Sequence, residues 1–280
     1  MVAANYDIAL VITKPDRASG RSKSPKQPAV KQYALKHNIP VIQPRSPAEL
    51  TQQLKDYQSL SWGVVSAYGF IIPTTTLQRF SGELVNVHPS LLPRWRGPSP
   101  IETALLHGDS KTGNSIMKLT ASMDAGPLYA QSDYDIDPED TRLDLYEKLG
   151  TSGADLLTDT LPSILDGSIA PRAQDEDQAT YSPLLTKDDA NIDWGAQAKD
   201  IERQVRAYLG WPGSRTEIGD KQIIIEASHV EYIEGTPGDV TTSQDRLGVF
   251  ASDGCLIIDR LKPAGGRSMT GPDFIRGYLN

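Results

Sequence analysis

Cysteine is almost absent: Cys255 is the single one in 280 residues, which excludes an internal disulfide framework and any metal site built from several thiolates. Histidine is scarce too, at positions 37, 88, 107 and 229, with no spacing that suggests a local metal cluster. No apolar run approaches the ~20 residues that a membrane span needs. Met1 to Asp7 lead into a short apolar run and then Lys14, which is not the pattern of a signal peptide. A reducing, cytoplasmic setting with no membrane is therefore expected. Biased tracts and internal repeats are also missing, which points to ordinary globular domains. Excess positive charge is lacking overall, because the net charge is −8, and a phosphate-binding surface normally leaves a basic footprint. The balance is local, however. Met1 to Pro40 carry seven basic residues (Lys14, Arg17, Arg21, Lys23, Lys26, Lys31, Lys36) against Asp7 and Asp16.

The length allows one large domain or two ordinary ones, and a monomer is the default expectation. Short apolar runs alternate with amphipathic stretches over the first two thirds, the βαβ signature of an α/β fold with a Rossmann-like, mainly parallel sheet. Asp7 to Thr13, Ile39 to Gln43, Trp62 to Ala67 and Glu83 to His88 read as strands. Val30, Tyr33, Ala34 and His37 fall at helical spacing, and Ser46-Pro47-Ala48-Glu49 is a capping box. Pro98 to His107 reads as a helix, and Ser115 to Leu119 and Leu128 to Asp135 as further strands. A longer helix follows from about Thr141, with Leu143, Tyr146 and Leu149 in step and Gly150 as a possible interruption. These elements delimit a first domain over 1–168. Residues 169–190, rich in Pro, Asp, Gln and Thr, read as a linker. A helix over Ala198 to Tyr208 and short strands in 191–280 suggest an OB-like β-barrel domain.

The densest chemistry lies in Asn86-Val87-His88-Pro89-Ser90-Leu91-Leu92-Pro93-Arg94-Trp95-Arg96-Gly97. Side chains two apart on a strand share a face, so Asn86 and His88 point the same way. They stand at the end of a buried strand, where open α/β sheets place their ligands. An amide beside an imidazole holds a developing oxyanion and moves a proton, as acyl transfer to an amine requires. Farther on, Ser122-Met123-Asp124-Ala125-Gly126 puts a carboxylate in a turn between two strands. Folded over the same sheet edge, Asp124 would orient His88 or take a proton. Each feature alone also fits a plain structural role, and Arg94 and Arg96 also fit solvated surface.

Together, Asn-x-His, Ser-Leu-Leu-Pro-x-x-Arg-Gly and the later Asp-x-Gly closely resemble the folate-dependent formyltransferases. Thr13 to Arg17, Gly20-Arg21, Ala67 to Pro73 and Gly113 to Gly126 resemble the same family in the same order. The resemblance implies formyl transfer from 10-formyltetrahydrofolate to an amine through a tetrahedral intermediate, with Asn86, His88 and Asp124 catalytic and no metal. It places the folate against Ser90, Leu91, Leu92 and Pro93, beside the apolar Phe70 and Ile71. Lys14 to Pro28, Ile192-Asp193-Trp194 and Gly210-Trp211-Pro212 resemble the branch that acts on initiator methionyl-tRNA. By that resemblance Arg21, Lys23 and Lys26 meet the RNA. From Lys187 onward 11 basic residues face 15 acidic ones, a poor footprint for RNA. The family opens with a strand, a Gly-Thr turn and a helix before the segment matching Asn5 to Thr13, so the sheet is expected to lack its first strand and helix. The competing readings are a relative acting on a sugar-nucleotide amine and an impaired folate- or RNA-binding relict.

Overall fold

In the computed structural model, the described residues are 1–18, 25–57, 60–80 and 82–279. The chain divides into two compact units, each assembled from separate stretches. The first holds Met1–Arg96, Gly113–Ser132 and Ser152–Thr180; the second holds Gly97–Thr112, Asp133–Thr151 and Tyr181–Asn280. In chain order the elements begin β1 (Val11–Ile12), β2 (Arg17–Ala18), β3 (Pro25–Lys26), α1 (Ala29–Lys36), β4 (Val41–Ile42), α2 (Pro47–Gln53), β5 (Gly63–Ser66) and α3 (Thr74–Leu77). They continue with β6 (Leu84–His88), α4 (Pro100–Leu106), β7 (Lys111–Lys118), β8 (Leu128–Asp135) and α5 (Arg142–Leu165). Last come α6 (Ala198–Tyr208), β9 (Ser214–Ile218), β10 (Lys221–Glu231), β11 (Val240–Thr241), β12 (Gly248–Phe250), β13 (Cys255–Pro263), β14 (Met269–Thr270) and α7 (Gly271–Phe274). No helix among the described residues is long and apolar enough to cross a membrane.

The sheet of the first unit is in two pieces. β1 pairs with β4, Val11 opposite Val41, in parallel. The second piece runs β5-β6-β7-β8, of which β5–β6 is parallel and β6–β7 antiparallel. The backbone bonds Lys118 N to Pro127 O and Ile136 N to Ser110 O run β7 and β8 antiparallel as well. The sheet is therefore Rossmann-like only in its first half, because the short turn joining β7 to β8 cannot make a parallel crossover. Between the pieces lies a cavity of about 1490 Å³ lined by residues 8–13, by 63–66 and by Val30, Tyr33 and Ala34 of α1. This accounts for a difference from the helical pattern. Ala34 alone of the expected α1 stripe is buried, while Val30 and Tyr33 are exposed.

Other local signals are realised. The hydroxyl of Ser46 accepts from Glu49 N at 3.2 Å and caps α2. Helix α5 runs unbroken through Gly150, and its buried residues are Leu145 and Leu149, then Leu157, Leu161 and Ile164. Leu143 and Tyr146, expected on that stripe, are exposed. A three-residue spacing fits them, but the four-residue spacing of Leu145 and Leu149 selects the buried face. Gly153 lets the helix approach β7, since a Cβ there would stand 2.8 Å from Asn114 Oδ1. Val85, Ile116 and Tyr129 form the core beneath this helix with Leu157 and Ile164.

In the second unit the strands are ordered β11-β12-β13-β10-β9, with β14 on β13, all antiparallel. Helix α6 buries Ile201 and Val205 against them. The antiparallel sheet is as expected. The expected closure into a barrel is not seen, because no ladder joins β9 to β11 among the described residues. Ile101 and Leu105 of α4 make a further core with Leu145, Leu149 and Tyr208.

Ile116 is fully buried in the middle of β7. Replacing it by alanine removes buried methylenes and leaves a cavity, which should lower stability by about 2–5 kcal/mol. Urea unfolding monitored by circular dichroism reads this directly; an unchanged midpoint would mean that this layer is not a packed core.

Candidate functional site

Strand β6 sets the geometry. It lies between β5 and β7, with Asn86 opposite Met117 and His88 opposite Ser115. Alternation puts the Asn86 and His88 side chains on one face, where they are 9% and 5% exposed. The Asn86 amide has no hydrogen-bond partner among the described residues. A nearly buried amide without a partner is uncommon, and it is available to a ligand.

Beyond His88 the chain turns back on itself. Ser90 N donates to His88 O at 2.9 Å, and Ser90 Oγ donates to Arg94 O at 2.6 Å. Trp95 is then in the left-handed region at φ 57°, a conformation that costs a residue with a Cβ about 1–2 kcal/mol. Its carbonyl stands 3.0 Å from His88 Nε2. A carbonyl only accepts, so Nε2 carries the hydrogen and Nδ1 is the nitrogen left for other chemistry. Asp124, also left-handed at φ 48°, brings Oδ2 to 3.7 Å from that Nδ1. This is an electrostatic contact rather than a hydrogen bond. The expected convergence of Asp124 on His88 is present in the fold.

Residues 172–180, within the stretch whose composition reads as a linker, are tied to this site through Arg172, Gln174, Glu176 and Thr180. Arg172 and Leu128 exchange backbone bonds of 2.8 and 2.7 Å. Gln174 Nε2 donates to Asp124 O at 2.8 Å and Gly126 O at 2.7 Å. Its Oε1 accepts from Arg96 Nε at 3.0 Å and Nη2 at 2.8 Å. Arg96 also forks onto Glu176 at 2.9 and 2.7 Å, and that bond holds the Glu176 carboxyl below its usual range. Thr180 accepts from Trp95 N at 2.9 Å and from Arg96 N at 2.9 Å. Arg96, which also fitted solvated surface, is 1% exposed, because a guanidinium can be buried only where carboxylate and amide oxygens meet it. Arg94 is the exposed one, 4.3 Å over the Trp95 ring.

The residues expected to line a folate site divide. Ser90 and Leu92 point inward: Ser90 is bonded to Arg94, and Leu92 packs with Met117 and Leu128. Leu91 and Pro93 are half-buried. Phe70 is half-buried beside Tyr68 and Lys14, and Ile71 is 84% exposed. Lys26 is exposed on β3, while Arg21 and Lys23 lie outside the described residues. Among the described residues no group of three or more His, Cys, Asp or Glu is placed to hold a metal ion.

Residues 3–161 match the formyl transferase family, and 184–279 match the formyl transferase C-terminal domain. The methionyl-tRNA formyltransferase of Roseiflexus castenholzii is 39% identical over 98% of this chain and 89% of its own length. That of Bacillus subtilis is 35% identical over 99% and 89%. Among solved structures, the N-formyltransferase of Helicobacter canadensis, in complex with folinic acid and dTDP-3-aminofucose, superposes with a TM-score of 0.67 at 18% identity, covering 89% of this chain and 88% of that one. HypX of Aquifex aeolicus, in complex with tetrahydrofolic acid, gives 0.66 at 16% identity over 89% of this chain and only 44% of its own. These two likenesses concern the fold.

Behind the motif, Ser115 Oγ donates to Ser90 O at 2.6 Å and accepts from Leu92 N at 3.1 Å and Gln131 Nε2 at 2.9 Å. Ser115→Ala strands the first two groups in a dry interior at ~1–3 kcal/mol each. A loss of stability of about 2–4 kcal/mol is expected in urea unfolding. A midpoint equal to that of the parent would show that the loop does not depend on this hydroxyl.

Proposed function

Since the chain belongs to the formyltransferase family, we propose that it transfers the formyl group of 10-formyltetrahydrofolate to the α-amino group of initiator methionyl-tRNA, with Asn86, His88 and Asp124 as the reacting set. The observation that carries the reading is the pairing of an unpartnered Asn86 amide with an imidazole whose Nδ1 faces a carboxylate at 3.7 Å. A donor, an acid and a base around one small space are what acyl transfer to an amine needs. The curated relatives, matched along nearly their whole length, carry the name of that activity.

In this reading the amino nitrogen attacks the formyl carbon, a C–N bond forms, and the carbonyl π pair moves to oxygen. The amide N–H of Asn86 and the Nδ1–H of His88, which enters the reaction as the imidazolium, hold that oxyanion. Asp124 takes the proton lost by the attacking amine. Collapse restores the carbonyl and breaks the bond to the folate nitrogen, which leaves with a proton delivered from His88. Products are the formylated aminoacyl-tRNA and tetrahydrofolate, and Asp124 returns its proton to the imidazole. The Trp95 carbonyl keeps Nε2 out of this exchange, so one nitrogen serves both acid and oxyanion. The loop from Ser90 to Pro93 backs the folate, and Arg21, Lys23 and Lys26 supply phosphate contacts that position the tRNA without reading bases.

Purified protein incubated with 10-formyltetrahydrofolate and charged initiator tRNA should yield formyl-methionine. Formylation of an amino-sugar nucleotide in its place would overturn the acceptor assignment. Asn86→Ala should lower kcat by ~10²–10³ while leaving KM for both substrates nearly unchanged. A variant with unaltered kcat would remove Asn86 from the oxyanion site.

A further inference from the structure

The family motif does not include the stretch that holds the site together. Asp124 sits in a left-handed turn, a conformation that aspartate tolerates better than most residues with a Cβ but that does not by itself fix where its carboxylate points. The neighbours Ser122 and Met123 are exposed, so packing at the turn's tip does not hold the carboxylate in place. An amide reaches the turn from outside it: Gln174 Nε2 is bonded at 2.8 and 2.7 Å to the carbonyls of Asp124 and Gly126. The orientation of that amide is itself fixed. Were it flipped, its oxygen would face two carbonyl oxygens and its NH₂ would face a guanidinium. The buried Arg96 holds Gln174 Oε1 with two N–H groups and is held in turn by Glu176. Six residues on, Thr180 anchors the backbone of Trp95, whose carbonyl orients His88. One strap thus sets both partners of the 3.7 Å contact.

We propose that residues 172–180 are a positioning strap for catalysis, in which Gln174, aligned by Arg96 and Glu176, holds the Asp124 carboxylate against His88. The proposal rests on the catalytic reading of Asp124 given above. Gln174 touches no reacting atom and acts only through the turn it clamps. Its loss should therefore be felt as misplacement of a catalytic group, not as weaker binding of either substrate.

A double-mutant cycle tests this in the full chain. Gln174→Met keeps the length of the side chain and removes both amide groups. It should lower single-turnover formyl transfer by about 10- to 100-fold, since displacing a catalytic group by roughly 1 Å can cost ~10²-fold, with KM for folate and tRNA within about threefold of the parent. In an Asp124→Asn background the same substitution should cost less than about twofold, because nothing is left to position. Equal losses in the two backgrounds, or a raised KM with unchanged kcat, would overturn the strap. Full activity in Asp124→Asn alone would instead defeat the catalytic assignment of Asp124. If the Met variant does not fold, Gln174→Asn, one methylene too short to span both carbonyls, carries the same cycle. Failure of both to fold would make the strap a structural element and overturn the positioning role.

Discussion

The bond between His88 Nε2 and the Trp95 carbonyl, 3.0 Å long, determines what the imidazole has to offer. It assigns the hydrogen to Nε2 and leaves Nδ1 toward Asp124. Everything that holds Trp95 in its left-handed conformation therefore bears on how the imidazole is oriented: the fold-back through Ser90 and Arg94, and Thr180 bonded to the Trp95 N–H. A backbone carbonyl is a dependable orienter, since it cannot rotate, titrate or donate. Were His88 oriented by another side chain, its tautomer would depend on that group's own state.

The sheet brings these parts together by simple periodicities. Two-residue alternation on a buried strand puts Asn86 and His88 on one face, and antiparallel pairing sets Ser115 behind His88. The same antiparallel geometry lets β7 and β8 be joined by a short turn, whose Asp124 comes back to the rim at His88. Gly126 permits that close return, because a Cβ there would lie 1.8 Å from the Lys118 carbonyl. Strand β6 thus carries Asn86 and His88, while Asp124 stands on a turn to which Gln174 is bonded.

How legible this was in the sequence depended on how local the signal is. Asn86, His88 and Asp124 stood out because each belongs to a short pattern on a strand end or turn, and the fold brings His88 and Asp124 together as expected. The Ser46 cap and helix α6 were readable for the same reason. The buried face of α5 was not. Leu143 and Tyr146 fit one spacing and Leu145 and Leu149 another, and only packing against α4 and α6 residues selects between them. Gln174, Glu176 and Thr180 looked like linker because polar residues without periodicity look alike whether they bond to water or to buried carbonyls. The partner of Arg96 lies about 80 residues away in sequence, beyond any local pattern. Whether the C-terminal strands close a barrel is a question of non-local pairing, and composition carries no record of it.

The central claim concerns which ring nitrogen of His88 is engaged. Long-range ¹H–¹⁵N correlation spectra of the ¹⁵N-histidine-labelled protein, with the His88 signals identified by their loss in His88→Gln, report the tautomer directly. The account predicts an Nε2–H resonance in the neutral ring, with Nδ1 carrying the lone pair. A neutral ring protonated on Nδ1 would contradict it, because the Trp95 carbonyl would then face a lone pair on Nε2.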